Sequence, residues 1–204
     1  MIKYLKISIA LAFAALVLLF LYVEFGGKFI IGNSDKRMIH HEIRSREKLP
    51  ENFTNFYNTL YPNALHENSW HLLLQSVINK NNQRKECPCN ITAFQLTPIL
   101  AIKGKKSIDQ FVVARYLEHH YRQEECLSFN FSHFDFLENR KGISNLSQSL
   151  FKKDIKDLQS IEMAEIVSLY ENPVKNNRFR NPERAKTRAK FLNQVYNNNL
   201  KNNK

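Results

Sequence analysis

The chain is short of the residues that punctuate a fold: among 204 residues there are five Gly, six Pro, three Cys and one Trp. So few Gly and Pro exclude fibrous and repeat-turn architectures. Cysteine is too sparse for a metal site at any recognised spacing. Cys87 and Cys89 flank Pro88, Cys126 lies far downstream, and the odd count leaves one thiol unpaired or none bridged. The cysteines therefore read as structural or incidental. No Gly-rich phosphate loop, H-E-x-x-H motif or nucleophile elbow occurs. Acidic residues are also in deficit, 19 against 30 Lys and Arg, for a net charge of +11. That excess admits nucleic acid, an anionic membrane surface or a phosphorylated ligand, and does not choose among them.

Apolar residues are plentiful. They make up 43% of the chain, with 15 Phe and 8 Tyr, which excludes wholesale disorder. The length suits one domain of ordinary size with a short appendage. That appendage is the run Ile7 to Val23, ISIALAFAALVLLFLYV, with Ser8 its one polar member and Lys3 and Lys6 before it. Seventeen residues lie at the lower limit for crossing a bilayer. Glu24, Phe25 and Gly26 follow without a small-x-small cleavage site, so an uncleaved anchor is favoured over a cleaved signal. Lysines before the span favour a cytoplasmic N-terminus, with Lys28, Lys36 and Arg37 on the far side counting against it. The expected organisation is a cytoplasmic tail (1–6), a transmembrane anchor (7–23), a connector (24–50), one domain (51–196) and a polar basic tail (197–204).

Within the domain the periodicity is helical and no stretch alternates as a strand does. Ser69 to Ile78 has the apolar density of a packed helix, closed by the polar run Asn79 to Glu86. A second helix is predicted from Ile91 or Thr92, limited by Pro98. Ser107-Ile108-Asp109-Gln110 fits a capping box, opening a helix with a broad apolar face through Phe111, Val113, Leu117 and Tyr121. Further helices are predicted from Ile143 to Phe151, from Ser160 as N-cap to before Pro173, and from Asn181 as N-cap with Pro182 at the first position. The fold class is mainly α.

Charge is concentrated at the C-terminal end. Between Lys175 and Lys204 nine basic residues stand against Glu183 alone, and Arg184/Arg188 and Lys186/Lys190 recur at four-residue spacing. The bland reading is a solvated face; the sharper one is attraction to phosphates of a lipid or an anionic ligand. The pairs His40-His41 and His119-His120 point in different directions on a helix and make poor chelates. Asp109, Glu118 and His119 serve as acid/base groups only if the fold brings them together. Four Asn-x-Ser/Thr triplets, at Asn52, Asn90, Asn130 and Asn145, carry little weight in so Asn-rich a chain.

From Lys106 to Leu192 the order of residues is informative: Ala114, Leu117-Glu118, Tyr121 and Glu124-Glu125; then Gly142-Ile143 and Phe151-Lys152-Lys153 through Leu158; then Glu162-Met163-Ala164, Asn172-Pro173, Asn181-Pro182-Glu183 and Arg188. This series resembles the biosynthetic peptidoglycan glycosyltransferases, glycosyltransferase family 51. The resemblance implies a lysozyme-like, mainly α transglycosylase domain on one N-terminal transmembrane helix, in a bacterial inner membrane and facing the periplasm or cell exterior. It implies lipid II or glycan strands as ligands and cell-wall synthesis proteins as partners, with no nucleic acid, and it admits a divalent metal. Substrate-binding roles fall on Thr92, Gln95, Lys106 and Lys153.

The chain departs from the family pattern at its acid/base groups. The family's second glutamate falls on Gln110, and the place of the first, near Tyr57 to Tyr61, holds no carboxylate. The lysine after the glutamine-rich motif is Pro98 and the Asn ending "YLN" is Ser132. A neutral amide does not take up a proton as a carboxylate does. The expected function is therefore a membrane-anchored, catalytically degenerate relative that binds lipid II, glycan strands or a cell-wall synthesis protein. One alternative is an active divergent polymerase using Asp109 or Glu67 as the substitute carboxylate. Another is an anchored helical scaffold whose basic tail holds a membrane or partner.

Overall fold

The computed structural model describes residues 2–45, 47–78, 86–102 and 106–202. In chain order the helices are α1 (Ile2–Phe25), α2 (Gly27–Ile30), α3 (Asn33–Arg44), α4 (Glu51–Leu60), α5 (Ser69–Ile78) and α6 (Pro88–Leu96). They are followed by α7 (Ser107–His120), α8 (Gln123–His133), α9 (Ile143–Phe151), a 3₁₀ turn (Ile155–Asp157), α10 (Ser160–Glu171) and α11 (Pro182–Asn202). No strand occurs among the described residues; the one extended pairing is an isolated bridge between Asp135 and Lys141. The mainly α class read from the sequence is what the chain adopts.

Local chemistry accounts for the helix starts. Asn68 accepts the N–H of His71 at 2.9 Å and opens α5. Three other helices share one device, an acid at the third position reaching back to the amide before the helix. Asp109 takes the Lys106 N–H at 2.7 Å, Glu125 the Arg122 N–H at 2.8 Å and Glu162 the Gln159 N–H at 2.7 Å. Two predicted caps are thereby corrected by one residue. Lys106 rather than Ser107 precedes α7, with Asp109 and not Gln110 as the returning side chain; Gln159 rather than Ser160 precedes α10. In both, a carboxylate at the third position accepts the amide that precedes the helix and so sets the start one residue earlier. The Ser107 side chain itself, like residues 79–85 of the predicted polar run, lies outside the described residues.

Three other boundaries move. Helix α6 starts at Pro88, not near Ile91, because proline at the first position gives up no hydrogen bond. The stretch 24–50 is not an open connector: it holds α2 and α3, and α3 buries Ile39 and Ile43 and packs on α8. Nor does a loose tail begin at 197, since α11 continues to Asn202. The apolar part of α1, Tyr4–Phe25, is 22 residues, about 33 Å at 1.5 Å per residue, long enough to cross a bilayer core.

The core is in two parts that meet at α8. One part holds Phe53, Phe56 and Tyr57 of α4 with Leu127 and Phe131 of α8, Leu146 of α9, Ile166 and Val167 of α10 and Leu192 of α11. Phe131 is its hub, edge-on to Phe53 at 5.0 Å and stacked on Tyr170 at 4.4 Å. The other part gathers Ile31, Ile39, Ala93, Leu96, Val113, Leu117, Cys126 and Phe129 around α7, on which α1, α2, α5 and α6 all pack. Helix α1 joins this second lobe through its contact with α7. A cleft opens where the lobes part.

Candidate functional site

The cleft encloses about 490 Å³ and is lined by Glu47 and Lys48 from one side, Ser128, Ser132 and His133 of α8, and residues 141–145 leading into α9. Its shape depends on the turn between α8 and α9. Leu137, Glu138 and Asn139 are all left-handed (φ 66, 56 and 61), and Gly142 follows at φ 82. A Cβ on Gly142 would lie 2.9 Å from the Ser132 carbonyl oxygen, so only glycine lets the chain fold back onto the end of α8. The Gly142 N–H donates to the Phe134 carbonyl at 2.9 Å, and α9 begins without a side-chain cap beside the cleft.

His133 is held from both ring nitrogens. Nε2 lies 2.8 Å from Glu42 of α3 and Nδ1 3.2 Å from the Phe129 carbonyl, so α3 forms part of the histidine's setting. Ser132, at the position where the resemblance has asparagine, donates to the Phe129 carbonyl at 3.0 Å. The sequence reading singled out neither His133 nor Glu42. One signal was available: Gly142 is the sole glycine after Gly104, and a lone glycine in a glycine-poor chain marks a special backbone position.

The residues expected from sequence fall into three places. Lys106 and Asp109 line a separate cavity of about 450 Å³ beside Tyr22, Ile30 and Asp35, at the end of α1. Asp109 is 5% exposed; one carboxylate oxygen caps α7 and the other takes the Tyr22 hydroxyl at 3.5 Å. Gln110, next along α7, is partly buried. Thr92 and Gln95 are on α6, which packs against α7, and Gln95 is partly buried. Thr92 is fully buried instead of presented to a ligand: its hydroxyl donates to Asn130 Oδ1 at 2.9 Å, and Asn130 donates to the Pro88 carbonyl at 2.9 Å. Lys153 is in the other lobe, bonded to Glu162 at 2.7 and 3.0 Å. Burial opposes the charge on Glu162, but the Lys153 ammonium and the Gln159 N–H outweigh it and hold the carboxyl below its usual range.

Asp109, Glu118 and His119 are not assembled as an acid/base group. Glu118 accepts the Ser69 N–H and hydroxyl, each at 2.7 Å, and pairs with Arg115. Arg115 also grips Glu24 at 2.6 Å, with the Trp70 indole N–H donating to Glu24 at 2.8 Å and His119 Nε2 2.9 Å from it. This partly buried network fastens the end of α1 to α5 and α7. Glu67, 4% exposed, is paired with His71. Cys89 and Cys126 form a disulfide that ties the first turn of α6 to α8, leaving Cys87 as the buried free thiol. Burial, reinforced by the Glu118 charge, pushes that thiol up to about 12. Asn130 is fully buried, so its triplet is no surface acceptor.

The chain matches the Transglycosylase family model over residues 92–196, from Thr92 in α6 to Tyr196 in α11. That is just over half of its length. The chain belongs to the transglycosylase family. No curated protein matches it. Membership carries the lysozyme-like helical fold and a peptidoglycan glycosyltransferase-like function. The matched span includes α8, the glycine turn and α9, the elements that build two sides of the cleft. The described residues contain no group of three or more His, Cys, Asp or Glu placed to hold a metal ion.

Proposed function

We propose that this protein is a membrane-anchored transglycosylase relative that binds lipid II or glycan strands without polymerising them, its body in the periplasm or at the cell exterior. The observation that carries the reading is the state of the carboxylates nearest the positions of the family's acid/base groups. Gln110 is an amide. Beside it, Asp109 is buried and spends its carboxylate on the α7 cap. In the region of the missing first glutamate, Tyr57 and Tyr61 are buried core residues, and the Tyr61 hydroxyl donates to Glu171 at 2.9 Å. Glu67 is buried against His71.

Each acid/base group contributes about 10²- to 10⁴-fold to rate, so loss of both removes several orders of magnitude. Binding asks less of the site, and the interlobe cleft of about 490 Å³ offers serine, histidine and lysine side chains to a sugar unit of such a ligand. A disulfide in the body agrees with an oxidising, exported side. Cell-wall synthesis proteins are the partners that such a binding role would serve.

The test is a polymerisation assay with labelled lipid II beside a direct lipid II binding measurement on the full chain in detergent. Binding without polymer is expected. Processive polymer that Gln110→Ala abolishes would overturn the proposal.

A further inference from the structure

Helix α11 packs on α10 and α4 through Ala185, Ala189 and Leu192. On its outer side Lys186, Lys190, Gln194, Asn197 and Lys201 follow at intervals of four, four, three and four residues, all exposed. At 100° per residue these five fall within about 80° of one another, and at 1.5 Å per residue they extend over about 22 Å. They form a straight stripe of hydrogen-bond donors, with Glu183 within the same arc at its first turn and the exposed Leu200 and Phe191 flanking it on opposite sides. Arg178 is engaged by Glu165 and Arg188 by Glu171. Lys186, Lys190 and Lys201 make no ion pair among the described residues. Glu183, the single acid of this region, sits in the first turn, where it complements the helix dipole.

We propose that this stripe is a binding surface for a linear polyanion, a polymer with phosphate or carboxylate groups repeated along an extended chain. Two rival occupants fit less well. A helix that enters a membrane surface inserts a continuous apolar face, but Ala185, Ala189 and Leu192 of α11 are already buried against α10 and α4, and the exposed Phe191 and Leu200 lie on opposite sides of the stripe and form no such face. A protein partner usually needs an apolar or aromatic anchor at the centre of its contact, and the stripe offers none. What it offers is charge and donors on one line, which an extended polyanion satisfies through counterion release. The inference concerns a different face from the cleft and holds whether or not the cleft performs chemistry.

The experiment measures binding of the full chain in detergent to polyphosphate and to alginate, across a salt series, with phosphatidylglycerol vesicles as the competing surface. Preference between the two polymers distinguishes phosphate from carboxylate sources. The variant Lys186→Gln/Lys190→Gln/Lys201→Gln is compared with a control, Lys28→Gln/Lys152→Gln/Lys156→Gln, that removes the same charge elsewhere. The stripe variant should bind about tenfold more weakly near 0.1 M salt and lower the slope of log affinity against log salt by about 2, taking about 0.7 per contact as for single strands. Its helicity should be unchanged, since Gln and Lys have similar propensity. The inference is overturned if the stripe variant binds as wild type does or the control loses as much. It is also overturned if the vesicles, and neither polymer, are bound.

Discussion

Replacing Thr92 by Val separates a structural threonine from a ligand-binding one. The side chains are close in volume, so the change removes a hydroxyl and leaves packing largely intact. The hydroxyl has one proton, and its shortest contact is Asn130 Oδ1 at 2.9 Å, with the Pro88 carbonyl at 3.1 Å. Both residues are completely buried, so no water replaces the donor when it is lost. A buried acceptor left unpaired costs about 1 to 3 kcal/mol. For a chain of this size each kcal/mol moves the melting midpoint by about 2 to 4 °C. Thr92→Val should therefore lower Tm by about 4 to 8 °C for a mid-range cost of about 2 kcal/mol. Thr92→Ser, which keeps the donor, should cost about 1 kcal/mol through the lost methyl. Combined with Asn130→Ala in a double-mutant cycle, Thr92→Val should show coupling above about 0.5 kcal/mol, because the two share a bond. The assay is thermal and denaturant unfolding of the oxidised full chain in detergent, with lipid II binding measured on the same samples below the transition. A Thr92→Val protein of unchanged stability that no longer binds lipid II would refute the reasoning and return Thr92 to the ligand.

Four further outcomes are expected. Cys87, held near 12, stays a neutral thiol, so iodoacetamide at pH 8 should label it only after unfolding; ready labelling of the native chain would contradict its burial. The same raised value has a stability sign: an unfolded thiol ionises near 8.5 and the folded one does not, so the contribution is complete below about pH 8.5 and declines as pH rises toward 12. Gly142→Ala should destabilise the chain by at least about 1 kcal/mol and weaken lipid II binding, because the added Cβ meets the Ser132 carbonyl in a left-handed conformation; wild-type stability in an unfolding titration would show that the turn is not constrained as described. Cys89→Ser/Cys126→Ser should cost about 3 to 4 kcal/mol, from the entropy of the loop that the bond closes over a separation of 37 residues, read from denaturant midpoints under matched conditions; a loss under about 1 kcal/mol would mean the thiols are not bonded in the native chain.

Helices whose apolar spacing and start signals coincide were legible in the sequence: α5 and α9 have the predicted bounds, and Pro182 marks the start of α11. The misplaced starts share a physical cause. Ser107-Ile108-Asp109-Gln110 contains two overlapping capping frames, and the Asp109 carboxylate rather than the Gln110 amide takes the returning bond. Helix α3 escaped notice because Ile39 and Ile43 are its only fully buried members among charged neighbours, a face too narrow to stand out before its partner α8 is known. The candidate site was less legible. Resemblance placed Gly142-Ile143 and Ser132 in one series, but Glu42 joins His133 from 91 residues away, a pairing that no local pattern encodes. Thr92 shows the reverse case: a motif position suggests a ligand contact, while tertiary packing buries its hydroxyl against Asn130 between α6 and α8.

The grip of Arg115 on Glu24 bears on how the protein is cut, by a protease or by an experimenter. Val23 is 5% exposed, Gly26 and Gly27 are buried, and a Cβ on Gly27 would collide with Tyr116. The last turn of α1 is thus a piece of the globular body. A soluble fragment begun at Lys28 would bare the flank of α7 and strand Arg115 with one of its two carboxylates. One begun a turn before Glu24 would retain both. The border between the exposed apolar part of α1 and the domain passes through the interior of a single helix.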